Sequence, residues 1–208
     1  GAYFQNETKL NDISEITLGL RHDNVAFDVT DKFLADGDDS GKINLNEFSP
    51  MVGISLKASS NTNIYATVSK AFETPTTTEF ANSSGGGFNQ TIKPQKSTNY
   101  EIGIKTFNNK YSFEAAIFQT DVKDELTPFE DSEQPGRTFF TNAGSSDRHG
   151  LELTSIRRFY DRFEFSTTYT YSDFKFNHFR NTGGEIYDGK RIPGIPKNLL
   201  NFNLSWSN

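Results

Sequence analysis

The residues best suited to chemistry form an acidic, glycine-containing segment at positions 36–47. This segment follows the calcium-binding loop of EF-hands position by position, with oxygen ligands at alternating places and Gly41 at the sharp turn. Hard oxygen donors of this kind suit Ca²⁺. The predicted metal ligands are side-chain oxygens and one backbone carbonyl, that of Lys42: Asp36, Asp38, Ser40, Lys42, Asn44 and Glu47.

The flanks of this segment differ from those of an EF-hand, in which a helix stands on either side. Pro50 follows soon after Glu47, and patterns typical of strands lie before and after the segment. Asx turns and glycine account for a solvated acidic loop between two strands equally well. A calcium site and a plain acidic loop are therefore both retained as interpretations.

Other kinds of chemistry have little support in the sequence. The chain has no cysteine, which removes thiolate metal sites and cysteine nucleophiles. Its three histidines are scattered, and residues 83–87 are rich in glycine but lack the Lys-Ser/Thr of a phosphate-binding loop. A net charge of −6 argues against nucleic-acid binding, which needs basic residues along the phosphates. We therefore expect neither an enzyme nor a nucleic-acid-binding protein.

The elements that position these residues are predicted to be β-strands, because apolar side chains recur at every second place. Phe163, Phe165 and Tyr169 alternate with polar residues, and Leu200, Phe202 and Leu204 repeat the pattern. No segment shows a sustained helical period. Nine strands are predicted, near residues 2–10, 14–29, 47–57, 62–72, 97–107, 110–122, 138–157, 162–174 and 198–206.

The connections between these strands alternate between short and long. The long connections are predicted at residues 30–46, 73–96, 123–137 and 175–197. Transmembrane β-barrels sort their loops in this way, with short periplasmic turns and longer extracellular loops. Aromatic residues at strand ends, such as Phe107 and Tyr111, fit the girdles of such a barrel. The predicted fold class is all-β, an antiparallel up-and-down meander that forms a segment of a large transmembrane β-barrel.

Five short motifs, taken in order, resemble those of TonB-dependent outer-membrane receptors. The most extensive resemblance covers residues 92–105, where Tyr100, Glu101, Gly103 and Lys105 keep the family's spacing. The other motifs lie at residues 18–23, 65–76, 142–153 and 192–198. Gln95 departs from the pattern, since glutamate is usual there. The resemblance implies that residues 1–208 are an incomplete C-terminal part of a plugged barrel.

Two further expectations accompany this resemblance. The predicted strand number is odd, whereas a closed bacterial barrel has an even number, so we expect two open sheet edges. The N-terminal residues lack the features of a signal peptide. We therefore expect that the plug domain and the last strands lie outside this chain.

The resemblance implies TonB-dependent active transport of a ferric siderophore or a similarly scarce solute across the Gram-negative outer membrane. Membrane lipid would surround the barrel, and the TonB complex would act through the N-terminal plug. Ligand contacts would come from residues 73–96, 123–137 and 175–197. Two alternatives stay open, namely a soluble calcium-binding β-protein that uses residues 36–47 and an outer-membrane enzyme barrel.

Overall fold

The computed structural model describes residues 1–32, 34–35, 38–83, 87–131, 134–160, 162–181 and 184–207. Long alternating segments form strands in this part of the chain, since their side chains point to opposite faces in turn. The strands are β1 (Ala2–Lys9), β2 (Ser14–Val29), β3 (Gly41–Ser59), β4 (Thr62–Glu73), β5 (Gln95–Phe107), β6 (Tyr111–Glu130), β7 (Thr138–Phe159), β8 (Phe163–Phe179) and β9 (Asn198–Trp206).

All nine strands belong to one sheet, in which each strand pairs antiparallel with the next strand along the chain. This order confirms the predicted antiparallel meander. At two of the short turns an asparagine side chain replaces the missing strand partner. The Oδ1 atom of Asn11 accepts hydrogen bonds from the amides of Ile13 and Ser14, and Oδ1 of Asn108 accepts them from Lys110 and Tyr111. Such Asx turns close a hairpin in few residues.

Three strands extend further toward the long connections than the sequence predicted. β3 begins at Gly41 rather than near residue 47, β6 continues to Glu130, and β8 continues to Phe179. The long connections are correspondingly shorter and comprise residues 30–40, 74–94, 131–137 and 180–197. Hydrogen bonding between neighbouring strands continues through these polar stretches. Their side chains no longer alternate as they do in the segments from which the strands were predicted.

The two outermost strands have an open side. Every residue of β1 and β9 is exposed, whereas the strands between them alternate between exposed and partly buried positions. The most deeply buried apolar residues lie on or near the long connections, among them Phe80, Ile92 and Phe139. Within the described residues, no helix has the length and hydropathy of a membrane span.

Candidate functional site

The sheet has two chemically different faces. The inner face carries Thr67, Ser69, Asn99 and Glu101, which line a concave cavity of about 350 Å³. The outer face carries apolar residues that the strand register places side by side. One such row joins Leu18, Val52, Val68 and Tyr100, and another joins Ile102, Ile117, Leu151 and Tyr171.

The apolar part of the outer face has the height of a membrane wall. It runs from Phe48 to Leu56 on β3 and from Phe163 to Tyr171 on β8. At about 3.3 Å per residue each run is about 26 Å long, which strand tilt reduces to roughly 20 Å along the barrel axis. Ile102 is 55% exposed and Phe202 is 65% exposed. A continuous exposed surface of this kind is suited to lipid tails.

Toward the long connections, the polarity of the two faces is exchanged. On β2 and β3, the exposed positions beyond His22 and Phe48 are polar, and the partly buried positions are apolar. The exposed set is Asn24, Asp28, Lys42, Asn44 and Asn46, and the partly buried set is Val25, Phe27, Val29, Ile43 and Leu45. The register pairs His22 with Phe48 and Asn24 with Asn46, so the exchange occurs at the same height on both strands. This level marks the end of the lipid-facing wall.

The apolar residues above this level are covered by the connection at 74–94. The ring of Phe80 lies 5.2 Å from that of Phe27 and 5.4 Å from that of Phe88, measured between centroids. Phe80 and Phe139 are fully buried. A small hydrophobic core therefore fixes the long connections over the inner side of the sheet.

Polar contacts join three of the long connections to one another. One carboxylate oxygen of Asp39 accepts a hydrogen bond from the amide of Gly87 at 3.0 Å, and the other accepts one from the guanidinium of Arg137 at 3.3 Å. The side-chain amide of Gln134 donates to the carbonyl of Ser83 at 2.9 Å. We call the connections at 30–40, 74–94 and 131–137 the loop cluster. The loop cluster borders an open cavity of about 380 Å³ whose lining includes Asp39, Phe88 and Arg137.

Asn142 ties the loop cluster to the wall. Its Oδ1 accepts from the amide of Lys93 at 2.7 Å, and its Nδ2 donates to the carbonyls of Lys93 and Asp124 at 2.9 and 2.8 Å. The pairing of β6 with β7 is irregular beside Asp124, whose φ of 54° is unusual for a residue with a side chain. One asparagine thus stabilises both the irregularity in β6 and the end of the connection at 74–94.

Two of the motifs noted in the sequence meet on the inner face. The hydroxyl of Tyr65 donates to Glu101 at 2.6 Å, and the ammonium of Lys105 lies 5.4 Å from the centre of the Tyr65 ring. Gly103 leaves room for that ring, because an added Cβ would lie 2.6 Å from Tyr65 Cζ. The tyrosine of one motif is therefore held by the glutamate, glycine and lysine of the other.

Most of the predicted calcium ligands have other partners in the structure. Asp36 lies outside the described residues, as does the centre of the glycine-rich run, residues 84–86. The Asp38 carboxylate accepts a hydrogen bond from the Ser40 amide at 2.9 Å, and hydrogen bonds from the side chain and backbone of Ser40 lower the pKa of Asp38.

The remaining predicted ligands lie on or beside β3. Ser40 Oγ accepts from the amide of Asp31. Lys42 pairs with Asp28 at 2.7 Å, Asn44 Oδ1 accepts from Asn24, and Glu47 pairs with Lys96 at 2.8 Å. An extended strand holds Lys42 and Glu47 apart and on opposite faces. The described residues form no cluster of three or more acidic or histidine side chains suited to a metal. The calcium site stays a prediction that would require a different conformation.

The contacts that hold the loop cluster together and tie it to Asn142 were not predicted from the sequence. Asp39 and Arg137 are 98 positions apart, and Asn142 and Lys93 are 49 apart, so local spacing carried no sign of these contacts. Phe80 and Phe88 could have been recognised from the sequence, because large aromatic residues inside a long polar connection indicate that part of the connection is buried.

Comparison with known proteins identifies the family of the fold. The family model described as TonB dependent receptor-like, beta-barrel matches residues 1–208. The ferric yersiniabactin uptake receptor FyuA from Yersinia pestis is 22% identical, with a TM-score of 0.71 over 97% of this chain. The copper transporter OprC is 18% identical, with a TM-score of 0.76 over 98% of this chain. The ferric-catecholate import receptor Fiu from Escherichia coli K12 is 17% identical, with a TM-score of 0.72 over 98%.

The chain spans about a third of the length of these structures. It covers 30% of FyuA, 32% of OprC and 31% of Fiu. The similarity extends along all nine strands and so concerns the barrel wall and its connections.

Proposed function

Because the chain belongs to the family of TonB-dependent receptor-like β-barrels, we propose that it forms barrel wall and ligand-binding connections of a receptor that imports a ferric siderophore. Receptors of this family are transport proteins of the Gram-negative outer membrane. Their solutes are scarce and bulky, which requires a binding surface outside the membrane and a wide passage through it. The family assignment favours this function over a soluble calcium-binding protein.

The loop cluster is the observation that carries the proposal. It lies beyond the level at which the outer face turns polar, on the side of the long connections, which in such barrels is extracellular. Its cavity of about 380 Å³ falls within the range of roughly 300–1,000 Å³ typical of small-molecule sites. Phe88 gives the cavity an apolar surface, and Arg137, paired with Asp39, places an ion pair at its border. This combination suits a chelate that carries apolar or aromatic groups beside polar oxygen atoms.

The energy-dependent part of transport belongs to the same proposal. We propose that further strands close the barrel, that a plug fills it, and that TonB acts on the plug from the periplasm. The Tyr65–Glu101–Lys105 group would face the plug or the passing solute, since it lies on the inner face.

The proposal can be tested with the complete receptor that contains this chain, purified in detergent. We would titrate a ferric catecholate, a ferric hydroxamate and copper(II), and follow binding by tryptophan fluorescence. One ferric chelate is expected to bind with a Kd of about 1 µM or tighter, a free energy near 8 kcal/mol. Arg137→Ala is expected to weaken that binding about fivefold or more, as for a charged contact residue.

Lys42→Ala is the matched control, because Lys42 is an exposed cation on the outer face at the start of β3 and does not line the cavity. It should leave the Kd unchanged. Saturable binding of copper(II) without binding of either ferric chelate would contradict the siderophore assignment. Iron uptake that continues in cells without TonB would contradict the energy source.

A further inference from the structure

A second, larger groove lies at the opposite end of the sheet, beside the short turns. It has a volume of about 1,100 Å³, and its lining combines outer-face residues of β6 to β9 with residues of the short turns and a smaller number of inner-face residues. Aromatic rings form its walls: Tyr111, Phe113, Phe159, Phe163 and Trp206. The rings of Phe159 and Phe163 stack at 5.9 Å with an interplanar angle of 13°. Rings at this height belong to the interfacial girdle, where apolar and polar surroundings meet.

Arg157 is the unusual member of this groove. The register places it on the outer face between Tyr111 of β6 and Phe165 of β8, at the lower border of the lipid-facing wall. Arg157 and Lys110, in the adjacent turn, form no ion pair with any described residue, although the neighbouring Arg158 pairs with Glu164 at 2.7 Å. A lipid-facing guanidinium at this depth extends to the headgroup region to find an anion.

The adjoining turns bring further positive charge to the same place. The amide of Arg158 donates to the carbonyl of Lys110 at 2.8 Å, which joins the end of β7 to the turn at 108–110. Arg162 also lines the groove. The groove thus combines an aromatic wall with basic side chains at one rim, which is complementary to an acyl chain that ends in a phosphate.

We propose that this groove binds an anionic phospholipid of the periplasmic leaflet, with Arg157 and Lys110 on the phosphate and the acyl chain against the aromatic wall. Guanidinium groups bind phosphate through two parallel hydrogen bonds, whereas lysine contributes a point charge. Basic pockets beside transmembrane segments recognise lipid headgroups in the same way. The inference does not depend on which solute the receptor imports.

The test uses the complete receptor in detergent and native mass spectrometry with phosphatidylglycerol or phosphatidylcholine of matched chains. Retention of phosphatidylglycerol in preference to phosphatidylcholine is expected. Arg157→Gln should weaken phosphatidylglycerol binding about fivefold, the effect expected of one basic residue near a membrane surface. Arg157→Lys should retain part of the preference, because it keeps the charge and loses the paired hydrogen bonds. A diazirine-bearing phosphatidylglycerol should label the segment at 155–163.

Lys123→Gln is the matched control, because Lys123 is an exposed cation near the other end of β6. It should leave retention unchanged. Equal retention of the two lipids by the wild-type protein, or unaltered phosphatidylglycerol binding in Arg157→Gln, would overturn the proposal. Displacement of the lipid by inorganic phosphate would overturn the assignment to a phospholipid. Heat-dependent mobility on electrophoresis shows whether each variant is folded. Photolabelling of the wild-type protein at residues outside the groove would contradict the proposed binding site.

Discussion

At the scale of single residues, Asp39 has the widest influence on the loop cluster. Its two carboxylate oxygens hold separate connections, since one accepts from the amide of Gly87 and the other from Arg137. The ion pair is partly exposed, with side-chain exposures of 42% for Arg137 and 38% for Asp39. It therefore contributes about 1 kcal/mol or less to stability. Its main effect is on where the connections lie relative to the cavity.

Asp39→Ala is expected to loosen the connection at 74–94 without unfolding the sheet. Loss of one hydrogen bond and a partly exposed ion pair, about 1–1.4 kcal/mol together, should speed amide exchange at residues 76–83 and 87–92 about fivefold to tenfold. Hydrogen–deuterium exchange with mass spectrometry measures this directly. Asp28→Ala removes a second ion pair of the same hairpin, that with Lys42, which is far more exposed, and should leave those rates unchanged. Unchanged exchange in Asp39→Ala would show that the Phe80 core and the hydrogen bonds of Asn142 and Gln134 hold the connection without Asp39.

The connection at 180–197 should depend on pH through Asp188. Its carboxylate accepts a hydrogen bond from the amide of Phe179 and lies 3.0 Å from His178 Nδ1, and these contacts lower the pKa of Asp188, the Phe179 bond most. Because the folded pKa lies below the usual 3.8, the stabilisation is complete above that value. It is lost as the pH falls through the lowered pKa.

Limited digestion with pepsin between about pH 4.5 and pH 2.5 provides the measurement for Asp188. The wild-type connection should become more easily cut toward the acid end of this range. Asp188→Asn should show no acid-induced increase beyond that of pepsin activity itself, because it lacks the carboxylate whose protonation would release the contacts. A wild-type cleavage rate that does not change relative to Asp188→Asn would exclude this role for the carboxylate.

At the scale of strands, the exchange of polarity between the two faces explains why the sequence predicted the number and order of the strands but not the start of β3. Nine strands and their antiparallel order follow from the period of two, because one lipid-facing side enforces strict alternation over many residues. Above the membrane, alternation continues in the opposite phase, as Ile43 and Leu45 show. The start of β3 was therefore placed near residue 47, and Lys42, Asn44 and Glu47 were assigned to a loop that could bind calcium.

The sites themselves were less predictable than the strands. The motif residues Tyr65, Glu101 and Gly103 were recognised, but their mutual contact depends on the register of β4 with β5. The same holds for Asn142, whose partners lie in other connections. Local sequence determines that a strand forms and which side is apolar. Contacts between loops depend on how the sheet curves and brings distant hairpins together.

Because the outer face changes from apolar to polar at one level, an added charge should destabilise the protein more below that level than above it. Ile102→Arg places a cation in the middle of the lipid-facing wall and should destabilise the folded protein by about 2–4 kcal/mol. Asn44→Arg adds the same side chain to the outer face above the wall and should cost about 0–1 kcal/mol. Urea unfolding in phospholipid vesicles, followed by fluorescence, gives both free energies. Equal costs at the two positions would mean that the outer face does not contact lipid as described.

At the scale of the whole molecule, the composition and the architecture explain each other. Only 34% of residues are hydrophobic, although aromatic residues make up 14%. A curved, single-layered wall needs an apolar surface on one side alone, and its inner side is polar. The deeply buried residues are few and concentrate near the long connections. Most of the apolar surface is therefore suited to contact with lipid and does not form a protein core.

The two open edges lead to the last prediction. Half of the backbone groups of β1 and β9 lack a strand partner within this sheet, so their amides should exchange quickly in the isolated chain. In a closed barrel the same amides pair with neighbouring strands and should be protected. β5 is the internal control, because it pairs on both sides and should be protected in either form. Hydrogen exchange of the isolated chain and of the complete receptor, both in detergent, makes the comparison. Equal protection of β9 in both would mean that these edges close by another route and that the barrel segment does not need additional strands.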